Sequence, residues 1–287
     1  MIAIFKREFK SYFISMTGYV FLAVMLVFAG IYTMAINLLQ LSPSFEYVLS
    51  NMTIVLMIVV PILTMRTLAE ERRSRTDQLL YALPMKLSSV VMGKYLAAVA
   101  VYGLCCGIFC LYPLVLSLFG EVYMLGAYSA IFGFFLLGSA LIAICVFLSS
   151  LTESQSISAV LGVAVLLAIY LLSSLVELLP ATALGSLLCF LALIAALTAI
   201  VYVLTKNLII CGVTLVICAA PTLITYFVNS TLFEGLFPKL VEYLAVFDRF
   251  YSFADGIFDL TAIVYFISIA VFFVFLTVQA MEKRRWS

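Results

Sequence analysis

Apolar runs of about 20 residues recur along almost the whole chain, and they constrain its fold more than any other feature. A run of roughly that length crosses the ~30 Å hydrocarbon layer of a bilayer as a helix, and a helix satisfies its own backbone hydrogen bonds, which lipid cannot do. Hydrophobic residues make up 66% of the chain and charged residues only 10%. Soluble domains carry roughly 25% charged residues. The sequence therefore predicts an all-α polytopic membrane protein.

About eight transmembrane helices can be drawn along the chain. They run near 18–38, 48–67, 95–119, 126–150, 156–178, 183–204, 208–229 and 260–280. An even number of spans puts both termini on one side of the membrane. Of the 15 Lys and Arg residues, only Lys239 and Arg249 fall on the opposite side. The positive-inside rule therefore predicts cytoplasmic N- and C-termini, in a multi-pass protein of a bacterial-type cytoplasmic membrane.

The first 15 residues have the pattern of an amphipathic helix that lies in the membrane interface. Aromatic residues follow helical spacing on one face, and basic residues take the other face, where they would lie near anionic headgroups. The residues that define these two faces are Phe5 and Phe9, and Lys6, Arg7 and Lys10. We expect residues 1–15 to form this N-terminal interfacial helix.

A second amphipathic segment covers residues 231–258, on the predicted outer side. Its apolar residues include Leu236, Phe247 and Phe250, with charged residues interspersed. We expect this segment to lie along the outer interface as an amphipathic helix. It could cap the helix bundle, bind an extracytoplasmic partner or line an exit, and the sequence leaves these roles open.

Residues 66–94 carry dense charges followed by a short apolar edge. Ser74 followed by Asp77 resembles a capping box, and Pro84 would help to end the helix that follows. The leucines that would share one face of this helix are Leu79, Leu80 and Leu83. Such a helix is suited to docking on another protein. The alternative is a solvated charged loop that only fixes the topology, and spacing alone does not decide between them.

Taken together, these patterns resemble those of ABC-2 type permeases. Within 66–94 the resemblance rests on Arg66, Glu70-Glu71-Arg72, Thr76, Leu79-Leu80, Pro84 and Gly93-Lys94. It extends to Phe5-Lys6-Arg7-Glu8-Phe9 and to Leu151-Thr152-Glu153-Ser154-Gln155. The end of the chain is similar to the gliding-motility (GldF-like) branch in three stretches, 247–250, 256–260 and 283–286. The resemblance covers nearly the whole chain.

The resemblance implies a single permease domain over 1–287, type V exporter-like, with the N-terminal helix as an elbow on the membrane. It implies that residues 70–84, within the cytoplasmic coupling segment 66–94, dock in a cleft of a separate ABC ATPase subunit. The implied coupling residues are Glu70, Glu71, Arg72, Arg73, Arg75, Thr76, Asp77, Leu79, Leu80 and Leu83. Glu153 and Gln155 would form a second, smaller cytoplasmic contact. The other implied partners are a second permease copy or paralogue, an extracytoplasmic auxiliary protein and the lipid bilayer.

The chain departs from the core family pattern in one respect. That pattern has six spans, whereas this sequence carries an extra apolar hairpin at about 183–229. The addition leaves the core fold intact, and the sequence leaves the path and shape of the outer half open. The sequence does not indicate what the hairpin is for.

Several function classes are excluded by missing residues. The chain contains no histidine, so His-ligated metal sites and Ser-His-Asp triads are excluded. It also lacks a G-x-x-x-x-G-K-[ST] phosphate loop, because Gly93-Lys94 is followed by Tyr95. We therefore expect a non-enzymatic subunit without a cofactor and without a nucleic-acid partner, whose ATP is hydrolysed by another polypeptide.

An ATP-independent secondary transporter or channel is the alternative function. Ionisable residues inside spans mark ion-coupled transport, and the middles of the predicted spans nearly lack them. This weighs against the alternative. The sequence leaves the transported substrate open.

Overall fold

The computed structural model describes residues 1–74, 86–180, 182–205 and 233–285, together with isolated positions between 215 and 226. Every regular element in these residues is helical. In chain order the helices are α1 (Ile2–Ile14), α2 (Thr17–Thr33), which continues as a π-helix (Met34–Leu39), α3 (Glu46–Thr64), α4 (Ala69–Arg73), α5 (Leu87–Phe109), α6 (Leu111–Leu116), α7 (Met124–Leu151), α8 (Gln155–Leu178), α9 (Ala183–Thr205), α10 (Leu236–Leu244), α11 (Asp248–Ala254) and α12 (Leu260–Arg285).

Six helical stretches among the described residues are long and apolar enough to cross a membrane. They are Thr17–Leu39, Glu46–Arg73, Leu87–Leu116, Met124–Leu151, Gln155–Leu172 and Leu260–Arg284. The first arm of the hairpin predicted at 183–229 is α9, and its part Ala183–Ala196 is a shorter apolar stretch. Most of the second arm lies outside the described residues. The all-helical membrane fold is confirmed, and the count of eight spans stays a prediction.

The chain divides into two compact units. The first contains Met1–Ala168 and Val246–Ser287, and the second contains Ile169–Ala245. In the first unit α7 is the central helix, since α3, α5, α11 and α12 all pack against it. In the most apolar 18-residue stretch of α7, 78% of the residues are buried within the protein, against 17% in that of α2. Hence α2 leaves most of its apolar surface to contact lipid or another chain.

Close packing against α7 depends on glycines that admit large aromatic side chains. The ring of Tyr102 on α5 lies over Gly138, and a Cβ atom at Gly138 would be 2.3 Å from that ring. The Tyr102 hydroxyl donates a hydrogen bond to the carbonyl oxygen of Phe134 at 2.7 Å. This bond satisfies the one polar atom of a side chain that is otherwise fully buried.

The outer segment 231–258 contains two short helices instead of one. Helix α10 belongs to the second unit and α11 to the first. On α11, Phe250 and Phe253 are fully buried, and Phe253 packs against Gly133 of α7. These aromatic rings therefore occupy the core of the first unit. More of their apolar surface is buried there than would be buried on a helix lying along the interface.

Candidate functional site

The buried lysine on α5 is the centre of a polar cluster. The sequence predicted that Lys94 opens the third span near residue 95, but α5 begins at Leu87, so Lys94 lies two turns inside the helix. Its side chain is only 2% exposed. The Nζ atom donates to the Thr67 carbonyl oxygen at 2.9 Å and contacts Oε1 of Glu71 at 2.8 Å and Oε1 of Glu8 at 3.2 Å. Two carboxylates and a carbonyl thus compensate the loss of hydration that burial imposes on the ammonium.

Helix α1 contributes Glu8 because one of its stripes packs on α5. Ile4, Glu8 and Tyr12 are four residues apart, so they share a face of the helix. Ile4 and Tyr12 are buried, and Ile4 lies against Gly93 of α5. Burial also raises the pKa of the Tyr12 hydroxyl above its ordinary value. Glu8 was not among the residues predicted for the elbow, although a carboxylate within this stripe was the available signal.

Arg7 completes the charge balance of the cluster. Its Nη2 atom lies 2.7 Å from Oε1 of Glu8 and 3.6 Å from Oε1 of Glu71. The hydrogen bond to Glu8 is the main reason that the pKa of Arg7 is raised above its ordinary value. With Lys94, the cluster contains two cations and two carboxylates, so α1, α4 and α5 meet without excess charge.

The remaining predicted residues of the elbow lie on the outer faces of α1. Phe5 and Phe9 stack with ring centroids 5.9 Å apart, and the ring centroid of Phe13 lies 5.2 Å from that of Phe9. Lys6 and Lys10 are exposed. This arrangement has the aromatic and basic faces that an interfacial helix requires, and the elbow role stays a prediction.

Helix α4 separates the predicted coupling residues into two groups. Glu70 and Arg73 are exposed, whereas the charged groups of Glu71 and Arg72 point into the protein. Arg72, with a side chain only 7% exposed, donates to the carbonyl oxygens of Ser150 and, at 3.0 Å, of Thr152. Of these four, Glu70 and Arg73 are therefore the pair that a partner protein could contact directly.

A serine on α7 holds the start of α4. The backbone N–H groups of Leu68 and Ala69 donate to the Ser149 hydroxyl oxygen at 3.3 and 3.2 Å. These N–H groups lie at a helix start, where intrahelical partners are missing, and Leu68 provides no side-chain cap. Sequence reasoning missed Ser149 because a serine near a helix end has no pattern that identifies so distant a partner.

The second predicted contact lies beside the first. The Glu153 side chain is 74% exposed in the turn between α7 and α8, and Gln155 begins α8. Oε1 of Glu153 lies 3.9 Å from Nη2 of Arg72 and 4.0 Å from Nη1 of Arg284 on α12. These distances are too long for hydrogen bonds, and the exposure makes the pairs weak. They nevertheless place the end of α12 at the same end of the unit as α1.

Part of the predicted coupling segment lies outside the described residues. This concerns Arg75, Thr76, Asp77, Leu79, Leu80 and Leu83, together with Pro84 and the capping box that starts at Ser74. Their assignment stays a prediction.

Within the residues that the structure describes, no group of three or more His, Cys, Asp or Glu side chains could hold a metal ion. The Lys94 cluster connects α1, α4 and α5. Arg72 and Glu153 extend the contacts to the end of α7 and the end of α12.

A family model described as ABC-2 family transporter protein matches residues 37–183, just over half of the chain. The match includes Glu71, Lys94 and Glu153, whereas α1 and α12 lie outside it. No curated protein and no solved structure matches the chain.

Proposed function

Since the chain belongs to the ABC-2 transporter family, we propose that it is the membrane-spanning permease subunit of an ABC exporter. In this proposal a separate ATPase subunit hydrolyses the ATP, and two permease chains, identical or paralogous, form the pathway through the cytoplasmic membrane. The polar cluster around Lys94 faces the cytoplasm. The chain itself has no phosphate loop, so its energy comes from the partner.

The observation that carries the proposal is the connection of α1, α4, α5 and the end of α7 at one end of the first unit. Lys94 links α5 to α4 through Glu71 and to α1 through Glu8. Arg72 links α4 to the end of α7 through Ser150 and Thr152. A force applied to α4 therefore acts on several spanning helices together, which is what a coupling element must do. Nucleotide binding would shift the permease between conformations through different contacts in each state.

The docking surface in this proposal starts with the exposed side chains of α4. Glu70 and Arg73 carry opposite charges, and Glu153 in the adjacent turn adds a carboxylate. The segment 75–83 continues from α4 along the chain and would complete the surface. Mixed charges of this kind favour a specific orientation of the partner over a large gain in affinity.

The finer placement within the family rests on the sequence alone. The final stretches 247–250, 256–260 and 283–286 are similar to the gliding-motility (GldF-like) branch, and we place the chain there. The hairpin 183–229 would extend the six-span core, and an extracytoplasmic auxiliary protein would contact the outer segment 231–258.

Charge reversal on α4 tests the proposal. Glu70→Lys and Arg73→Glu, made in the chain co-expressed with the ATPase encoded nearest to it, should abolish co-purification and lower the ATPase rate. Both positions are exposed, so the thermal stability of the permease should not change. Glu121→Lys, an exposed position before the start of α7 and hence at the opposite end of that helix, is the matched control.

Two results would contradict the proposal. One is full association and full ATPase rate in both α4 variants. The other is transport in proteoliposomes that an ion gradient drives without any ATPase, which would support the secondary transporter instead.

A further inference from the structure

A polar cavity of about 100 Å³ lies in the first unit, where α1 meets the connection between α3 and α4. All of the residues that line it have polar or ionisable side chains. Glu8, Ser11 and Tyr12 line it from α1, and their spacing puts them on one face of that helix. Arg66 in the connection and Glu70 on α4 also line it. Ser11 is exposed, so water can reach the cavity from outside.

Two buried polar atoms of the lining residues have no hydrogen-bond partner in the part of the chain that the structure describes. One is the hydroxyl oxygen of Tyr12, a residue that is only 7% exposed. The other is Nε of Arg66. Oε2 of Glu70 lies 3.6 Å from this Nε atom, which is too long for a direct hydrogen bond. A buried polar group without a partner loses its hydration and gains nothing in return, so both groups call for an occupant that bonds to them.

The cavity has the size and the lining that ordered water requires. Its volume holds about three water molecules at their share of liquid volume. A buried water molecule usually makes two to four hydrogen bonds, and the hydroxyl, carboxylate and guanidinium groups of the lining residues can supply them. A water molecule that contacts both Arg66 and Glu70 would also connect these two groups, which do not bond directly.

The charges around the cavity favour a neutral occupant over an ion. Glu8 belongs to the Lys94 cluster, in which two cations already balance two carboxylates. Arg66 and Glu70 carry opposite charges and lie close together. A bound anion would therefore meet two carboxylates, and a bound cation would meet the Arg66 guanidinium. Water meets neither penalty, because it can donate to the carboxylates and accept from the guanidinium.

We propose that this cavity holds a cluster of about three ordered water molecules, to which the Tyr12 hydroxyl and Nε of Arg66 donate. The cluster gives α1 a second attachment, since it joins the helix to the connection that leads into α4, in addition to the packing of α1 on α5. A water-mediated hydrogen bond is nearly as favourable in enthalpy as a direct one, so this attachment contributes to stability. It depends on the docking of α1 and not on the ATPase partnership.

Removal of the Tyr12 hydroxyl tests the proposal, because the sign of the effect depends on whether the hydroxyl is hydrogen-bonded. Tyr12→Phe should lower the melting temperature of the purified full-length chain in lipid nanodiscs, since a bond to water is lost. A hydroxyl without any partner would give the opposite result, because its removal relieves an uncompensated buried group. Tyr95→Phe calibrates the shift: Tyr95 is 8% exposed, and its hydroxyl donates directly to the Ser139 carbonyl oxygen at 3.2 Å. The two variants should lower the melting temperature by similar amounts.

A cavity-filling variant shows whether the effect arises in the cavity. Ser11→Met places a larger apolar side chain there and should displace the water. Tyr12→Phe made in the Ser11→Met background should then no longer lower the melting temperature. Lys10→Met is the matched control, because Lys10 is exposed on the same helix and does not line the cavity. Tyr12→Phe should keep its full effect in that background.

An equal or higher melting temperature for Tyr12→Phe would overturn the proposal, and so would an undiminished effect in the Ser11→Met background. Density at a resolution that shows ordered water is the independent measurement. Separate peaks within hydrogen-bond distance of the Tyr12 hydroxyl and of Nε of Arg66 are expected. One continuous density larger than a water molecule would identify a bound small molecule and would overturn the assignment to water.

Discussion

The Nζ atom of Lys94 lies 2.8 Å from Oε1 of Glu71, and this contact joins a membrane-spanning helix to the short helix α4. Both groups are largely withdrawn from solvent, with side-chain exposures of 2% and 18%. A buried ion pair depends on both members, since removing one leaves an uncompensated charge inside the protein.

Lys94→Met should therefore destabilise the chain by about 3–5 kcal/mol, because the carboxylates of Glu8 and Glu71 lose their buried cation and keep Arg7, whose side chain is 59% exposed. Chemical unfolding in detergent measures the change. Lys10→Met, at an exposed position of α1, is the control and should have little effect. The double variant Lys94→Met with Glu71→Leu should recover part of the loss. Wild-type stability in Lys94→Met would show that the pair does not hold these helices together.

Ser149→Ala should lower stability by about 1–3 kcal/mol, because the N–H groups of Leu68 and Ala69 lose their acceptor. Ser150→Ala is the matched control. The Ser150 hydroxyl donates to the Phe147 carbonyl oxygen within its own helix, its one hydrogen bond among the described residues, and the backbone contact of Ser150 with Arg72 survives the change. Equal melting temperatures for the two variants would contradict the assigned role of Ser149.

Gly138→Ala should destabilise the packing of α5 on α7 by about 1–3 kcal/mol, because the added methyl group overlaps the Tyr102 ring. An added Cβ at Gly107, on α5 itself, would meet no described atom of another element within 4 Å, so Gly107→Ala should be neutral or slightly stabilising. Thermal unfolding of both variants checks this. The assigned packing is wrong if Gly138→Ala melts no lower than Gly107→Ala.

Gly93→Leu should push α1 away from α5, since even a Cβ atom there would lie 3.1 Å from Ile4. Faster proteolysis near the N-terminus measures the displacement. Adding Ile4→Ala opens space for the new side chain, so the double variant should be cleaved more slowly than Gly93→Leu. Ile4→Ala alone reports the cost of losing the contact. No rescue in the double variant would contradict docking of α1 at this position.

Cysteine labelling tests the proposed orientation. Glu121 and Glu153 flank the two ends of α7 and are both exposed. A membrane-impermeant maleimide should label Glu121→Cys in intact cells and Glu153→Cys only after permeabilisation, with the parent chain as control for its native cysteines. The opposite pattern would reverse the topology.

The sequence predicted the spanning helices well where the apolar run was continuous. Helix α7 was expected at 126–150 and covers Met124–Leu151. The prediction was less accurate for α5, which begins at Leu87 and not near residue 95. Lys94 caused this difference, because a hydropathy pattern treats a lysine as a limit of a span unless a buried partner is known.

The candidate site was only partly predictable for a related reason. Charge density identified Glu70, Glu71, Arg72 and Arg73 as one group, but the geometry of a single helical turn gave them different environments. Glu70 is exposed, while Arg72 donates to the carbonyl oxygen of Thr152 just after the end of α7.

By itself the sequence determined that this chain lies in a membrane as helices, because hydropathy and backbone hydrogen bonding are local properties of each segment. Only the tertiary structure decided which charges are partners. Lys94 meets Glu8, and the start of α4 meets Ser149, across separations of about 80 residues or more along the chain. Such contacts depend on how whole helices pack, and no local pattern records that packing.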